Sequence, residues 1–187
     1  METSKLLDPN LDYYIVHNIN RTSNIEDQEH NIIGKIQEKG FVTKHILLLD
    51  SAGSQICKID KKTWSFTNTY EVKDSEGKIL GIVKKKSYKF SSGRVMENSD
   101  GNIILSNHKS YDEKCTEIED KDGKSIAKFC LGAEKKSFIE KYVSYGGPYT
   151  FPIHILDNSF DRKKLLCFFI CLYDEMLEVS RASSSGY

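Results

Sequence analysis

The chain is 187 residues long, with 39% apolar and 29% charged residues, a balance that supports one packed domain and excludes wholesale disorder. Lys plus Arg and Asp plus Glu each number 27, so the formal net charge is zero and no global field draws the chain to nucleic acid or acidic membranes. Any such partner must meet a local patch.

Residues 1–12 read as an N-terminal extension. Met1 to Lys5 has no apolar run behind it and no glycine at position two, so neither a secretory signal nor myristoylation is expected. From Tyr13 onward the pattern is that of short strands. Tyr13 to His17, Ile32 to Ile36, Phe41 to Leu49, Gln55 to Ile59 and Ile79 to Val83 are β-branched or alternating. Thr69 to Lys73 alternates most cleanly, with Tyr70 and Val72 on one face. Ile103 to Ser106, Cys115 to Glu119, Ile126 to Leu131, Phe138 to Tyr145 and Tyr149 to Leu156 continue the series. Between them one turn recurs as Asp50-Ser51-Ala52-Gly53, Asp74-Ser75-Glu76-Gly77, Asn98-Ser99-Asp100-Gly101 and Asp120-Lys121-Asp122-Gly123. The leading Asp or Asn can accept a backbone N–H, and the glycine supplies the positive φ of a type I turn with bulge. About a dozen strands joined in this way predict an antiparallel sandwich or barrel and exclude alternating βαβ architecture.

The last element breaks the pattern. Asp157, Asn158 and Ser159 are cap residues, and Leu165 to Tyr173 contains no charge. At about 100° per residue, nine apolar positions cover the whole circumference of a helix, predicted over about 159–179. The run is too short to cross a bilayer, which needs roughly 20 apolar residues. Such a helix belongs inside a closed barrel spanning 13–179, where burying nine side chains contributes on the order of 15–20 kcal/mol before entropy is subtracted. Residues 180–187 read as a disordered tail.

Motifs for chemistry are sparse. His17, His30, His45, His108 and His154 lack zinc spacing, and no Cys-x-x-Cys occurs. Cys167 and Cys171 share a helix face and read as small core side chains. The Asp120 loop lacks the third acidic position and distal glutamate of a calcium loop, and no phosphate-cradling glycine loop or nucleophile elbow is present. No cofactor, metal or catalytic residue is expected. Five cysteines without framework spacing predict free thiols and a cytoplasmic, at most membrane-peripheral, protein, which makes the sequon Asn20-Arg21-Thr22 a chance match. The densest cationic segment is Lys84-Lys85-Lys86, with Lys89 and Arg94 nearby. It suits either a solvated strand end that discourages edge pairing or a patch for lipid phosphate headgroups. A second trio, Arg162-Lys163-Lys164, opens the helix, where the backbone dipole disfavours positive charge; Asp157 and Asp161 are the simpler offset, an anionic ligand at the barrel mouth the alternative.

The segments Leu47 to Gly53 with Ile56 to Ile59, their echo Tyr70 to Ile79, and the ending Phe151 to Asp157 followed by Phe160-Asp161-Arg162 and the apolar helix resemble the tubby C-terminal-like superfamily. The similarity is to its LURP-one-related and phospholipid-scramblase branch and covers roughly Tyr13 to Val179. The resemblance implies a closed twelve-stranded barrel threaded by its C-terminal helix. It further implies phosphoinositide or membrane-surface binding, calcium-dependent lipid scrambling or a role in plant defence. The scramblase-like calcium segment is reduced here to Asp157, with His154 and Leu156 beside it, and the chain has only 3 prolines and no palmitoylation cluster. The expected function is a monomeric, non-enzymatic module binding anionic phospholipid or a protein partner, with no nucleic-acid partner. The alternatives are a scramblase-like protein whose helix enters the bilayer, and a lipocalin-like carrier. The latter is disfavoured because its helix would be amphipathic and Trp64 lies mid-chain.

Overall fold

The computed structural model describes residues 4–19, 22–40, 43–62, 68–86, 93–109, 115–130 and 150–184. Among these, twelve strands form one antiparallel barrel: β1 (Tyr13–Ile19), β2 (Thr22–Glu26), β3 (Ile32–Lys39), β4 (His45–Asp50), β5 (Gln55–Lys62), β6 (Thr69–Asp74), β7 (Ile79–Lys85), β8 (Arg94–Glu97), β9 (Ile103–Lys109), β10 (Cys115–Asp120), β11 (Ser125–Cys130) and β12 (Thr150–Ile155). Each strand pairs with its sequence neighbours, and β12 returns to β1, with Tyr14 opposite Ile153 and Val16 opposite Phe151. Closure leaves no sheet edge to be protected. The expected strand Phe138 to Tyr145, together with Trp64 and Lys89, lies outside the described residues.

Alternation decides what faces inward. Tyr70 and Val72 on β6, Ile46 and Leu48 on β4, and Cys57 and Ile59 on β5 are buried against the axis. The helix α1 (Arg162–Ser184) fills that axis, and all nine residues from Leu165 to Tyr173 are at most 5% exposed. It meets the wall through aromatic edges. Phe169 packs edge-on against Phe129 of β11 at 5.1 Å between ring centres, and Tyr173 against Phe151 of β12 at 4.7 Å. The helix continues to Ser184, beyond the Val179 read from the sequence, because no breaker interrupts residues 174–184.

The four Asp or Asn turns adopt one geometry. Their leading side-chain Oδ1 accepts the N–H four residues on at 2.8 to 2.9 Å, and each glycine has φ between 78° and 85°. No atom lies within 4 Å of where their Cβ would be, so these glycines serve the backbone angle alone. A fifth turn of the same kind escaped the sequence pattern because His30, at φ 63°, stands where the others have glycine. Asp27 accepts the N–H of Asn31 there at 2.9 Å, and β2, hidden before this turn, was missed with it. All five turns lie at the barrel end where α1 begins; Lys44, Lys61 and Arg94 lie at the other, where they meet residues 174–178 of α1.

Residues 4–12 form a strap across the turn end. A short 3₁₀ turn, Lys5–Leu7, drives Leu6 into the core at 0% exposure, and a Cβ on Gly34 would stand 2.8 Å from Leu6 Cδ2. Tyr14 Oη donates to the Leu6 carbonyl at 3.1 Å, and burial pushes that phenol up to about 12. Lys5 ties the strap to Asp27 at 2.6 Å. Burial would raise the Asp27 carboxyl, but hydrogen bonds from Lys5, Asn31 and Glu29 hold it at about 2.

The cysteines correct the sequence reading. Cys57, Cys167 and Cys171 are free and buried, but Cys115 is disulfide-bonded, and the β10–β11 register sets it opposite Cys130. An odd count and irregular spacing did not reveal the hairpin register that sets these two positions opposite each other.

Two outcomes follow from this packing. Phe168→Asp or Ile170→Asp places a charge at the axis and is expected to abolish soluble folded protein, whereas Phe168→Leu folds with a loss of about 1–2 kcal/mol in denaturant titration. His30→Gly relieves the left-handed strain and is expected to raise the urea midpoint, a gain of about 0.5–1 kcal/mol.

Candidate functional site

The richest polar constellation lies at the barrel end opposite the turns, where α1 leaves its apolar stretch. Asp174, one residue beyond the oily run, is 1% exposed, so its carboxylate needs partners from the wall. Strand ends supply them. Lys44, just before β4, and Lys61 of β5 both donate to Asp174, Lys61 at 3.3 Å, and Tyr70 Oη of β6 donates at 3.0 Å. Lys61 shares the inward face with Ile59 and pairs across the ladder with Tyr70, whose ring its ammonium overlies at 5.4 Å. One helical turn on, Glu178 accepts from Lys61 and from Asn68 Nδ2 at 3.3 Å. Burial and the nearby Asp174 carboxylate push the Tyr70 phenol far above its ordinary value, so it remains a donor at any ordinary pH.

Arg94 belongs to the same constellation. It lies two residues before Met96, so alternation turns it inward, and it is 9% exposed. Its guanidinium forks onto Glu175, Nε to Oε2 at 2.7 Å and Nη2 to Oε1, while Nη1 donates to the Asn68 carbonyl at 2.6 Å. Three wall cations are thus matched by three helix carboxylates at positions 174, 175 and 178. A cavity of about 10 Å³ beside Asp174 and Ser23 has room for about one water molecule. The described interior is filled by α1, which removes the geometric basis for a lipocalin-like carrier.

The cationic segment read from the sequence is divided by this geometry. Lys84 points outward and pairs with Glu97 at 2.8 Å. Lys85 stands opposite Arg94 in the β7–β8 ladder but is exposed at the rim, and Lys86 is half-buried just beyond it. Neither makes an ion pair with a described residue. Arg94 is committed to the helix, and Lys89 lies outside the described residues. The structure therefore keeps Lys84, Lys85 and Lys86 together on one hairpin and withdraws Arg94 from its surface. The Asp174, Glu175 and Glu178 anchors were not recognised in the sequence. Their signal was the i, i+4 spacing of Asp174 and Glu178 directly after an apolar run, a carboxylate face that must enter the barrel mouth.

The reduced calcium-type segment is engaged elsewhere. Asp157 accepts from Lys124 at 2.5 Å and from Ser159 Oγ at 2.6 Å, and these bonds hold its carboxyl far below the usual range. Among the described residues no group of three or more His, Cys, Asp or Glu side chains is arranged to hold a metal ion. Among the described residues no helix is long and apolar enough to cross a membrane.

Asp174→Asn removes the most buried countercharge of Lys61 and Lys44, leaving them only the more exposed Glu178 and Glu38, and is expected to cost about 3 kcal/mol, read by urea denaturation at pH 7. Glu178→Gln, at a site 38% exposed, should cost under about 1 kcal/mol by the same measurement.

No curated protein matches the sequence significantly. A crystal structure of a protein from Arabidopsis thaliana superposes with a TM-score of 0.60 at 14% identity, covering 92% of this chain and 98% of that one, which shows a shared fold. The LURP-one-related family model matches residues 12–172, from the end of the strap through β12 and the apolar stretch of α1, and the chain belongs to the LURP-one-related family.

Proposed function

We propose that the protein is a non-enzymatic binding module that docks peripherally on anionic phospholipid surfaces, with the end of the barrel opposite the turns facing the membrane. The observation that carries this reading is the division of charge between the two ends. The five turn segments 27–31, 50–54, 74–78, 98–102 and 120–124 carry eight carboxylates and three lysines. The opposite end presents Lys84, Lys85 and Lys86 on the β7–β8 hairpin and the exposed Lys39 at the end of β3. The buried cations there are neutralised by α1, so the rim lysines set the outward field. These described lysines form a local cationic patch, through which a chain of zero net charge can be oriented on an acidic surface. Membrane insertion of α1, as a scramblase-like protein would require, is disfavoured because removing it would empty the barrel of its core.

Each lysine near an anionic bilayer adds roughly 1 kcal/mol, so the hairpin supports weak, salt-sensitive binding. The test is sedimentation with phosphatidylcholine vesicles with and without phosphatidylserine or a phosphoinositide. The protein is expected to pellet with the anionic vesicles only and to be released at high salt. Replacing Lys84, Lys85 and Lys86 by Ala should weaken binding by about two orders of magnitude, with Lys85→Ala costing more than Lys84→Ala because Glu97 already engages Lys84. Unchanged pelleting of the triple variant eliminates the hairpin as the contact, and no pelleting of the wild type eliminates the reading.

A further inference from the structure

Arg162 opens the 23-residue helix α1 at the turn end and is 5% exposed. Its Nη2 donates to two neutral acceptors, Asn158 Oδ1 at 2.6 Å and the Pro9 carbonyl at 3.3 Å. Its Nε and Nη1 are buried and hydrogen-bond to no described residue. Every described carboxylate nearby in the chain is committed elsewhere. Asp161 caps the helix, accepting from the N–H groups of Lys163 at 3.0 Å and Lys164 at 3.3 Å, and pairs with the Lys164 ammonium. Asp157 holds Lys124 and Ser159, Asp8 holds Asn10, and Asp12 accepts from Gln28. A guanidinium is charged at all ordinary pH, and a buried one with donors left over and no countercharge is among the least favourable arrangements in a protein. Here the positive end of a long helix dipole adds to it, and two half-buried lysines follow it in the sequence. The covering strap has a second buried group without a described partner, Ser4 Oγ.

We propose that Arg162 is the anchor of a binding site for a phosphate-type oxyanion, flanked by Lys163 and Lys164 and covered by the N-terminal strap. The anion supplies the countercharge that no described residue provides and accepts the N–H groups that the described residues leave over. Access requires the strap to lift from the ties that hold it: Leu6 with the flanking Leu7 and Leu11, the Lys5–Asp27 pair, the Tyr14 bond to Leu6, the Arg162 bond to Pro9, and the bonds of Asp12 with Gln28 and the Ile155 N–H. The site lies at the opposite end of the barrel from the β7–β8 hairpin and is independent of the membrane reading. Free phosphate and a lipid phosphomonoester headgroup share the required chemistry.

The test uses the full chain. Thermal unfolding of the wild type and of Arg162→Met is followed in rising inorganic phosphate against chloride at matched ionic strength. A ligand held by the folded state at a hundredfold excess over Kd raises the wild-type midpoint by about 5–10 °C, saturably. Arg162→Met, which fills similar volume without charge, is expected to melt at or above the wild type in chloride and to show no saturable phosphate response. In a second arm, flotation with phosphatidic acid against phosphatidylcholine vesicles is compared for the two proteins. Loss of the phosphatidic acid preference in Arg162→Met without a response to free phosphate identifies the headgroup as the source. An equal phosphate response in both proteins marks a general salt effect and overturns the site, as does a wild type indifferent to both phosphate and phosphatidic acid. If Arg162→Met does not fold, calorimetric titration of the same phosphate, or vesicle binding, with the Lys163→Ala, Lys164→Ala double variant decides. Affinity at least tenfold weaker is expected, and unchanged affinity overturns the proposal.

Discussion

A helix with no polar side cannot be housed by a single sheet face, and that constraint organises this molecule. Leu165 to Tyr173 projects apolar side chains in every direction, so only a wall that closes on itself can keep water from all of them. The twelve strands meet that requirement by pairing in sequence order and returning β12 to β1. The same closure fills the interior. Where a larger or emptier barrel would hold a ligand on its axis, this one holds its own chain, and binding chemistry is left to the ends and the outer wall.

The two ends handle charge differently because the helix crosses them differently. Where α1 emerges, its apolar stretch gives way to Asp174, Glu175 and Glu178, and strand ends answer with Lys44, Lys61 and Arg94. Asp174, Lys61 and Arg94 are buried enough to depend on their partners, and their pairing helps to pin the depth and rotation of the helix. Where α1 enters, no described carboxylate pairs with Arg162; the neighbouring ones are spent on turns, caps and Lys124. Among the described residues, one end therefore matches its buried cations with carboxylates of the helix, and the other holds a buried cation that no described carboxylate meets.

The N-terminal strap joins these features. It contributes Leu6 to the core through the space that Gly34 leaves, and it covers the helix start, so it acts as part of the barrel although it lies outside the strands. Its ties to the barrel are side-chain contacts and one backbone bond, from the Ile155 N–H to the Asp12 carbonyl, whereas neighbouring strands are held by continuous backbone ladders. In such a structure the strap opens at less cost than a strand of the barrel.

What the sequence by itself determined was local: the Asp or Asn turns with their glycines, the alternation of strands such as Thr69–Asp74, and a nine-residue apolar run that no surface could accommodate. These sufficed for a barrel around a helix, because backbone angles and periodicity are properties of a few adjacent residues. The fifth turn was hidden by His30 standing in for glycine, and with it β2. Tertiary structure decided the rest. Lys84 to Lys86 and Arg94 read as one patch, yet alternation sent Arg94 inward to a glutamate 81 positions away, and Asp174 found Tyr70 across 104. The cross-strand placement of Cys115, the burial of Leu6 and the isolation of Arg162 arise the same way. Which charges meet depends on where strand ends fall against the helix after the barrel closes, and that register is set by the whole ring of pairings at once.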